Sequence, residues 1–287
     1  MRVANYSLSG IPFGGVGTGS FELRADGKAY EWWIFNNGPW TSTQENRKLE
    51  FLDDKALFFA LRVKHGNRVL VRLLRRGAYE LGANPYTMPW LKQVEQIVME
   101  GEPPLARFEY LDGQLPVNVT LTAFSPFIPL DIKNSSLPAA VFVFRLENKS
   151  DEEVEVSLLM GLANPFTYVN RGYIGKSEKF EAENLAGIEL SGREVPSSSP
   201  AFSGGMSLAV IGNCEKFCVA SLPLDPMHRA FNNMWVRFRR EGSVADRENY
   251  ESRERFYALV GGKVKLKPKE SREIVFFLTW FFPNHVD

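Results

Sequence analysis

The sequence has few cysteines, few histidines and no excess of charge of either sign, and each shortage excludes a class of protein. Its two cysteines, Cys214 and Cys218, cannot form a disulfide framework and have no further Cys or His at metal-ligand spacing. We expect two ordinary thiols, although a hairpin between them would allow one disulfide, and we expect no metal or other cofactor. The 34 Lys and Arg residues equal the 34 Asp and Glu residues, so nucleic acid is not an expected partner.

Long apolar segments are missing as well. Residues 1–10 contain one Arg and no apolar core of the kind that a signal peptide has. No later stretch is apolar over the length that a bilayer requires. The sequence therefore predicts no transmembrane segment, and we expect the protein in the cytoplasm.

Long helical patterns are a further absence, because the only helical hint is the short stretch 225–235. Apolar material is abundant, with 44% apolar residues and 22 Phe among 287 residues. That amount is sufficient for the core of one large domain. Strand patterns look alike on both sides of the Ser- and Gly-rich stretch 197–205, so we expect residues 1–287 to form a single domain.

Short segments with a period of two residues, bounded by turn residues, recur along the whole chain. The Asp26-Gly27 turn joins the first two in a predicted hairpin, and 141–158 predicts another whose second strand has a solvated face. The predicted strands are 20–24, 29–35, 57–64, 69–74, 93–99, 106–110, 117–124, 140–146, 153–160, 206–211, 217–221, 234–238, 256–260, 263–266 and 274–280. This spacing predicts an all-β fold, a large antiparallel β-sandwich of two packed sheets with at most short helices.

The glycine-rich segment 14–20 has the composition of a nucleotide-binding loop but not its context. A dinucleotide fingerprint needs a strand before the glycines and a helix after them, so that the pyrophosphate meets a helix N-terminus. Here a strand and a hairpin follow, and Ser20 occupies the third glycine position. We therefore expect the glycines to allow positive φ values and close backbone approach where the chain enters its first sheet.

Several short motifs occur in an order that is known from one enzyme family. They are 10–20 (GIPFGGVGTGS), 33–40 (WIFNNGPW), 107–110 (RFEY), 123–130 (AFSPFIPL), 135–138 (SSLP), 148–150 (NKS) and 280–284 (WFFPN). In this order they resemble the N-terminal domain of glycoside hydrolase family 116, the β-glucosidases, non-lysosomal glucosylceramidases and bile acid β-glucosidases. The resemblance spans nearly the whole chain.

The resemblance implies a β-sandwich that is followed, in such enzymes, by an (α/α)6 helical barrel with a Glu nucleophile and an Asp acid/base. No position here corresponds to that barrel, so we expect no catalytic residue and a chain that is not catalytic on its own. Retaining hydrolysis needs two carboxyl groups about 5–5.5 Å apart, whereas most of the 34 carboxylates stand beside turn residues or on polar strand faces. The implied partners are the helical catalytic domain, in the same or a neighbouring chain, and through it a β-glucoside substrate.

Aromatic and amide residues close together in the sequence are the candidates for contact with such a partner. Trp33, Asn36, Asn37 and Trp40 combine ring faces with amide donors and acceptors, which suits a saccharide. Alternation around Trp33 places aromatic rings on both faces of a strand, so packing in the core or at a domain interface explains the rings better. We predict that the loop 36–43 reaches the edge of a neighbouring active site, as a substrate-entrance or domain-interface element.

Four functional hypotheses remain open. The first is the accessory N-terminal domain of a family 116-like retaining β-glucosidase or glucosylceramidase. The second is a free-standing carbohydrate-binding module that uses residues 32–40, and the third is a non-catalytic subunit that docks a separately encoded helical chain. The fourth is a role in assembly without any sugar. Titration with cello-oligosaccharides separates the second from the others, because only a binding module would release heat that Trp40→Ala abolishes.

Overall fold

A computed structural model describes residues 2–5, 8–35, 52–77, 81–168, 172–199, 201–224, 228–244 and 249–284. Within these ranges the chain forms 19 strands and three helices. The strands are β1 (Arg2–Ala4), β2 (Ile11–Phe13), β3 (Phe21–Leu23), β4 (Ala29–Tyr30), β5 (Leu57–His65), β6 (Arg68–Leu73), β7 (Leu91–Gln93), β8 (Gln96–Glu102), β9 (Leu105–Leu111), β10 (Val117–Phe124), β11 (Ala139–Asn148), β12 (Val154–Ala163), β13 (Ile174–Ala182), β14 (Leu185–Arg193), β15 (Gly205–Ile211), β16 (Lys216–Pro223), β17 (Asn249–Ser252), β18 (Phe256–Leu266) and β19 (Ser271–Phe281). The helices are α1 (Ile132–Ser135), α2 (Pro165–Tyr168) and α3 (Arg229–Glu241).

The described strands form two large sheets and one small one. The larger sheet has ten strands in the order β1-β8-β9-β10-β11-β19-β15-β14-β13-β17, and the smaller sheet has six in the order β16-β18-β12-β5-β6-β7. A separate sheet joins β2, β3 and β4. Strands β6 and β7 are parallel, and the other neighbours are antiparallel. The predicted all-β fold with short helices is confirmed.

The core lies between the inner faces of the larger and the smaller sheet. Alternating Cβ directions along β11 and β19 turn Phe142, Phe144 and Phe276 inward. Their ring centroids lie 5.2, 5.0 and 6.0 Å from that of Phe59 on β5. Each of the four side chains is at most 2% exposed, and burying one stabilises the fold by roughly 1.5–3 kcal/mol. These rings hold the two sheets face to face.

Helix α3 covers the outer face of the smaller sheet, so the prediction of a strand over 234–238 is wrong. Buried side chains recur at helical spacing along α3, which is why this segment forms a helix. They are Phe231, Met234, Trp235 and Phe238. The Trp235 ring lies 5.9 Å from that of Phe58 on β5, and its Nε1 donates to Leu81 O at 2.7 Å. Of the helical hint at 225–235, the described residues from Arg229 onward are helical, and the helix extends to Glu241.

The C-terminal end of α3 is fastened to the smaller sheet by two cations. The buried Arg62 donates from Nε to Arg239 O at 2.7 Å and pairs with Glu155 at 2.5 Å. Lys263 Nζ donates to the carbonyl of Glu241 at 3.4 Å. These donors satisfy carbonyl groups that the helix itself leaves without partners and favour the negative end of its dipole.

The predicted hairpin 141–158 is wrong, because its two strands belong to different sheets. Strand β11 lies in the larger sheet and β12 in the smaller one. The side chain of Asn148 anchors this crossing by donating to the carbonyl groups of Glu152 and Leu266 at 2.7 and 3.1 Å. Strand β12 also has no solvated face, because nine of its ten residues are buried.

Other strand boundaries differ from the expected ones for local reasons. The strand predicted over 29–35 ends at Tyr30, because Glu31 has a left-handed φ of 51° that a strand does not accommodate. The two strands predicted at 256–260 and 263–266 are one continuous strand, β18. Strands β13 and β14 were not predicted, since glycines and charged residues interrupt their apolar pattern.

Both cysteines are free thiols. Burial raises the pKa of the Cys214 thiol to about 11, and the neighbouring Cys218 acts in the same direction. At neutral pH the Cys214 side chain is therefore protonated and a poor nucleophile. Cys218 is buried on strand β16.

The described part of the chain holds no cluster of three or more His, Cys, Asp or Glu side chains at metal-binding distance. In the same ranges, no helix combines the length and the apolar character that crossing a bilayer requires.

Candidate interdomain surface

One end of the molecule brings together segments whose motifs carry the family resemblance. The backbone N of Val16 donates to Ser135 O at 2.8 Å and so joins the glycine-rich loop to the β10–β11 connection. Trp280 contacts both loops, because its backbone N donates to Pro138 O at 3.1 Å and its Nε1 to Thr18 O at 2.8 Å. We call this region the motif end, and it comprises residues 14–20, 33–35, 125–138 and 280–284.

Two glycines make this close backbone approach possible. A Cβ atom at position 15 would lie 2.5 Å from Leu137 O, and one at position 19 would lie 2.2 Å from Trp33 O. Gly19 also has a φ of 80°, which side chains rarely tolerate. The expected role of Gly15 and Gly19 in close approach is confirmed.

The β10–β11 connection is held in shape by its own polar side chains. The Oγ of the buried Ser135 donates to Ile128 O at 2.9 Å and accepts from Ile128 N at 2.8 Å. The Asp131 carboxylate accepts from the backbone N and the Nδ2 of Asn134 at 3.0 and 2.6 Å. These hydrogen bonds lower the pKa of the Asp131 carboxyl group. The loop is therefore ordered without the help of its apolar side chains.

Those apolar side chains point away from the protein. Leu130 is fully exposed, and Ile132 is 77% exposed. Six large apolar residues of this kind, each at least 45% exposed, form what we call the apolar rim: Val16, Phe127, Ile128, Leu130, Ile132 and Leu137. A contiguous exposed apolar patch is typical of an interaction site.

A row of apolar side chains continues from this end across the outer face of the larger sheet. The strand register aligns one residue from each of seven neighbouring strands, from β9 to β13. Six of the seven are apolar side chains, and the seventh is Gly187 on β14. We call this row the outer stripe: Leu105, Phe124, Val141, Phe277, Ala209 and Phe180, with the Phe180 ring covering Gly187 on the intervening strand. At about 4.8 Å per strand, the row is roughly 30 Å long. A solvated face of an antiparallel sheet is ordinarily polar, and the rows beside the stripe are polar, with Arg107, Glu109 and Arg145 on the same face. The outer stripe is therefore a narrow apolar band on a polar face.

The structure describes one of the four residues predicted for the substrate entrance. Trp33 lies at the motif end with its side chain half-buried, and its backbone N donates to Ser20 O at 2.8 Å. Asn36, Asn37 and Trp40 lie outside the described residues.

The rings adjacent to Trp33 belong to the core. Trp32 is 1% exposed, stacks on Phe21 with centroids 4.6 Å apart and donates from Nε1 to Asp53 O. Phe35 is fully buried against Phe282, with centroids 4.6 Å apart. Packing therefore explains these rings.

Four carboxyl groups of the described residues have a shifted pKa, at Asp131, Glu155, Glu241 and Glu270, and each is shifted downward. At Glu155 burial acts upward, but the hydrogen bond from Arg62 and the charge of Lys263 outweigh it.

The apolar rim was not among the candidates taken from the sequence. The sequence does contain a group of large apolar residues that could have indicated it. They lie in the proline-bounded segment 126–138 and do not alternate as in a strand. That pattern alone does not distinguish a buried loop from an exposed one.

Three solved structures of longer chains are weakly similar to this chain. A putative kojibiose phosphorylase from the human microbiome is 11% identical with a TM-score of 0.46, and the match covers 100% of this chain and 33% of that one. A polysaccharide lyase (11% identity, TM-score 0.39) matches over 99% of this chain and 33% of its own. A family 36 α-galactosidase from Geobacillus stearothermophilus in complex with 1-deoxygalactonojirimycin (11% identity, TM-score 0.36) matches over 99% and 41%. This chain thus spans less than half the length of each of them.

A family model supplies the assignment that these distant likenesses cannot. The model described as "beta-glucosidase 2, glycosyl-hydrolase family 116 N-term" matches residues 10–286. That range includes the glycine-rich loop, the apolar rim and the Trp280 segment. The chain therefore belongs to the N-terminal domain family of glycosyl hydrolase family 116.

Proposed function

We propose that this chain is the N-terminal accessory domain of a retaining β-glucosidase or glucosylceramidase and packs against a helical catalytic domain of the same or a neighbouring chain. The observation that carries the proposal is the apolar rim, which is built by family motif segments and exposed to solvent. In this proposal the chain supplies no catalytic residue. Its role is to support the helical domain and to shape the substrate entrance.

The surface chemistry favours a helical partner. Covering the rim removes apolar area from water, at roughly 25 cal/mol per Å². Because Ser135 and Asp131 already order the rim loop, docking requires little loss of backbone entropy there. The outer stripe is as long as a helix of about 20 residues. A helical domain with apolar surface residues fits both features.

The substrate entrance is the second part of the proposal. We place Trp33, at the motif end, together with Asn36, Asn37 and Trp40 where the two domains meet. There the indole rings and amide groups would face the mouth of the neighbouring active site, and a β-glucoside would meet this chain only indirectly.

Association with the parent enzyme's helical domain tests the docking surface. Co-produced from separate genes, the two parts are expected to co-purify, and activity on an aryl β-glucoside is expected to require the helical part. Charges at the centre of an interface are costly, so Leu130→Lys with Ile132→Lys should weaken association by about tenfold or more. The control is Leu111→Lys, an exposed residue at the far end of β9. Undiminished association of the rim variant, with association intact in the control, would remove the rim from the interface.

The isolated chain provides two further checks. It is expected to fold and to leave an aryl β-glucoside intact, and turnover that a single carboxylate substitution abolishes would contradict the accessory role. Calorimetric titration with cello-oligosaccharides should release no heat of binding. Heat that disappears in Trp40→Ala would instead establish a carbohydrate-binding module.

A further inference from the structure

A groove runs along the flank of helix α3 that faces the β5–β6 hairpin. Its volume is about 450 Å³, within the range of small-molecule sites. Three separate parts of the chain line it: the hairpin, the residue before β7 and the last turns of α3. The groove residues used below are Lys64, Asn67, Trp90, Val236, Arg239 and Arg240, with Arg62 at the back.

The groove has an excess of positive charge in a chain whose net charge is zero. No Asp or Glu is among the described residues that line it. Two carboxylates pair with the lining cations: Glu155, with Arg62 and Lys263, and Glu241, with Arg240 and Arg237. The four lining cations, Arg62, Lys64, Arg239 and Arg240, stand against these two carboxylates, which leaves an excess of two positive charges. Clustered charge of this kind concentrates anions.

Two of the cations, Lys64 and Arg239, form no salt bridge within the described residues, although Lys64 lies opposite Glu155 in the strand register. Arg62 and Lys263 already bond the C-terminal carbonyl groups of α3, so the helix end does not need further donors. Among the described residues, neither Lys64 nor Arg239 has a carboxylate partner. Both side chains are exposed at the groove, and their charges are therefore available to a ligand.

Arg239 is held in a fixed orientation. Its guanidinium carbon lies 5.0 Å from the centroid of the half-buried Trp90 ring, over the ring face. Its backbone is fixed from below by the bond that Arg62 donates to Arg239 O. A guanidinium that lies over a ring face can still offer its N–H groups to phosphate or sulfate, which it binds with two parallel hydrogen bonds.

We propose that this groove is an oxyanion site, in which Arg239 and Lys64 bind the phosphate or sulfate group of a small polar compound or of a lipid headgroup. Arg239 supplies the paired N–H donors and Lys64 a second positive charge. The Asn67 amide and the edge of Trp90 contact the remainder of the ligand. The site lies on the smaller sheet and depends on neither the apolar rim nor a catalytic domain.

Calorimetric titration of the 287-residue chain with glucose 6-phosphate and with pyrophosphate tests the soluble form of the ligand, with glucose as the uncharged control. The anions are expected to bind, more weakly as salt increases, and glucose is not. The double variant Lys64→Gln, Arg239→Gln should weaken binding by about tenfold or more, since two charge-assisted contacts are lost. Arg145→Gln, an exposed arginine on the larger sheet, is the matched control and should change affinity less than about twofold.

Vesicle sedimentation distinguishes the two sources of the anion. Vesicles of phosphatidylcholine with phosphatidylinositol phosphate are compared with vesicles of phosphatidylcholine alone. Binding only to the phosphorylated vesicles, lost in the double variant, would support the site with a headgroup as its ligand, and binding of the soluble anions would support it with a metabolite. Circular dichroism melting should show all variants folded, because the substituted side chains are exposed. Failure of both soluble anions and vesicles to bind, or binding that the double variant leaves unchanged, would overturn the proposal.

Discussion

The outer faces of the two large sheets carry similar apolar rows but differ in what covers them. On the smaller sheet, Phe58, Leu159 and Leu259 are completely buried, with α3 packed over this face. On the larger sheet the outer stripe is unevenly covered, because Val141 and Ala209 are 8% exposed whereas Phe277 is half-buried and Leu105 is 40% exposed. The first face shows how this chain buries an apolar sheet surface, namely with an amphipathic helix. The more exposed members of the outer stripe are the part of the second face that the proposed helical partner would cover.

Matched truncations on the two faces test most directly whether the two faces differ in coverage. Phe58→Ala should lower the free energy of unfolding by about 3–5 kcal/mol, because it leaves a cavity beneath α3. Phe277→Ala, at a half-buried position, should cost about 1 kcal/mol. Urea denaturation of the isolated chain measures both. Equal losses would mean that the two faces are equally covered.

Detaching the helix from the smaller sheet is the second test. Arg62→Met removes the donor to the α3 carbonyl groups and leaves Glu155 with a weaker partner, and we expect a loss of roughly 2 kcal/mol. Arg145→Met on the larger sheet removes an exposed arginine and should remain within about 0.5 kcal/mol. Thermal denaturation compares the pair, and similar midpoints would contradict the role assigned to Arg62.

The pH dependence of stability tests the electrostatic part of the contact between Arg62 and Glu155. The folded chain lowers the pKa of the Glu155 carboxyl group, so its ionised form stabilises the fold. That contribution is complete above the ordinary pKa of Glu, about 4.3, and is lost as pH falls through the lower folded pKa. The stability difference between the unmodified chain and Glu155→Gln should therefore shrink from about pH 7 to about pH 3. A difference that is independent of pH would refute the electrostatic explanation.

The smallest expected effect concerns the outer stripe in the absence of a partner. Leu105→Ser with Phe180→Ser removes two partly exposed apolar side chains, 40% and 38% exposed, and should change the free energy of unfolding by less than about 1 kcal/mol. The same variant should reduce fluorescence of a dye that binds apolar surfaces. A large loss of stability would show that the stripe is already covered within this chain.

Local patterns predicted most of the strands correctly where alternation was clear. Strand β10 was predicted with its observed limits, because inner and outer residues alternate along it without interruption. Residues 234–238 were assigned to the wrong class, because their apolar residues fit a strand period as well as the helical one. The crossing at Asn148 was also missed, since a hairpin and a crossing between sheets have the same turn chemistry.

The candidate surface was also predictable from the sequence only in part. The motifs pointed to the family and to the region around Trp33 before any fold was known. They did not indicate that Leu130 and Ile132 are exposed, because exposure depends on what the rest of the chain leaves uncovered. The groove beside α3 had no local signal, since Lys64 and Arg239 are distant in sequence and meet only after folding.

By itself, the amino-acid sequence determined the all-β class, the approximate positions of most strands and the family, because these follow from side-chain periodicity and from short ordered motifs. Only the tertiary structure decided which sheet face is covered by a helix, which apolar side chains stay exposed, and where cations cluster. Arg62 and the carbonyl of Arg239 are 177 residues apart and meet at 2.7 Å. Contacts of that range depend on the order of strands in the sheets, which neighbouring residues do not encode.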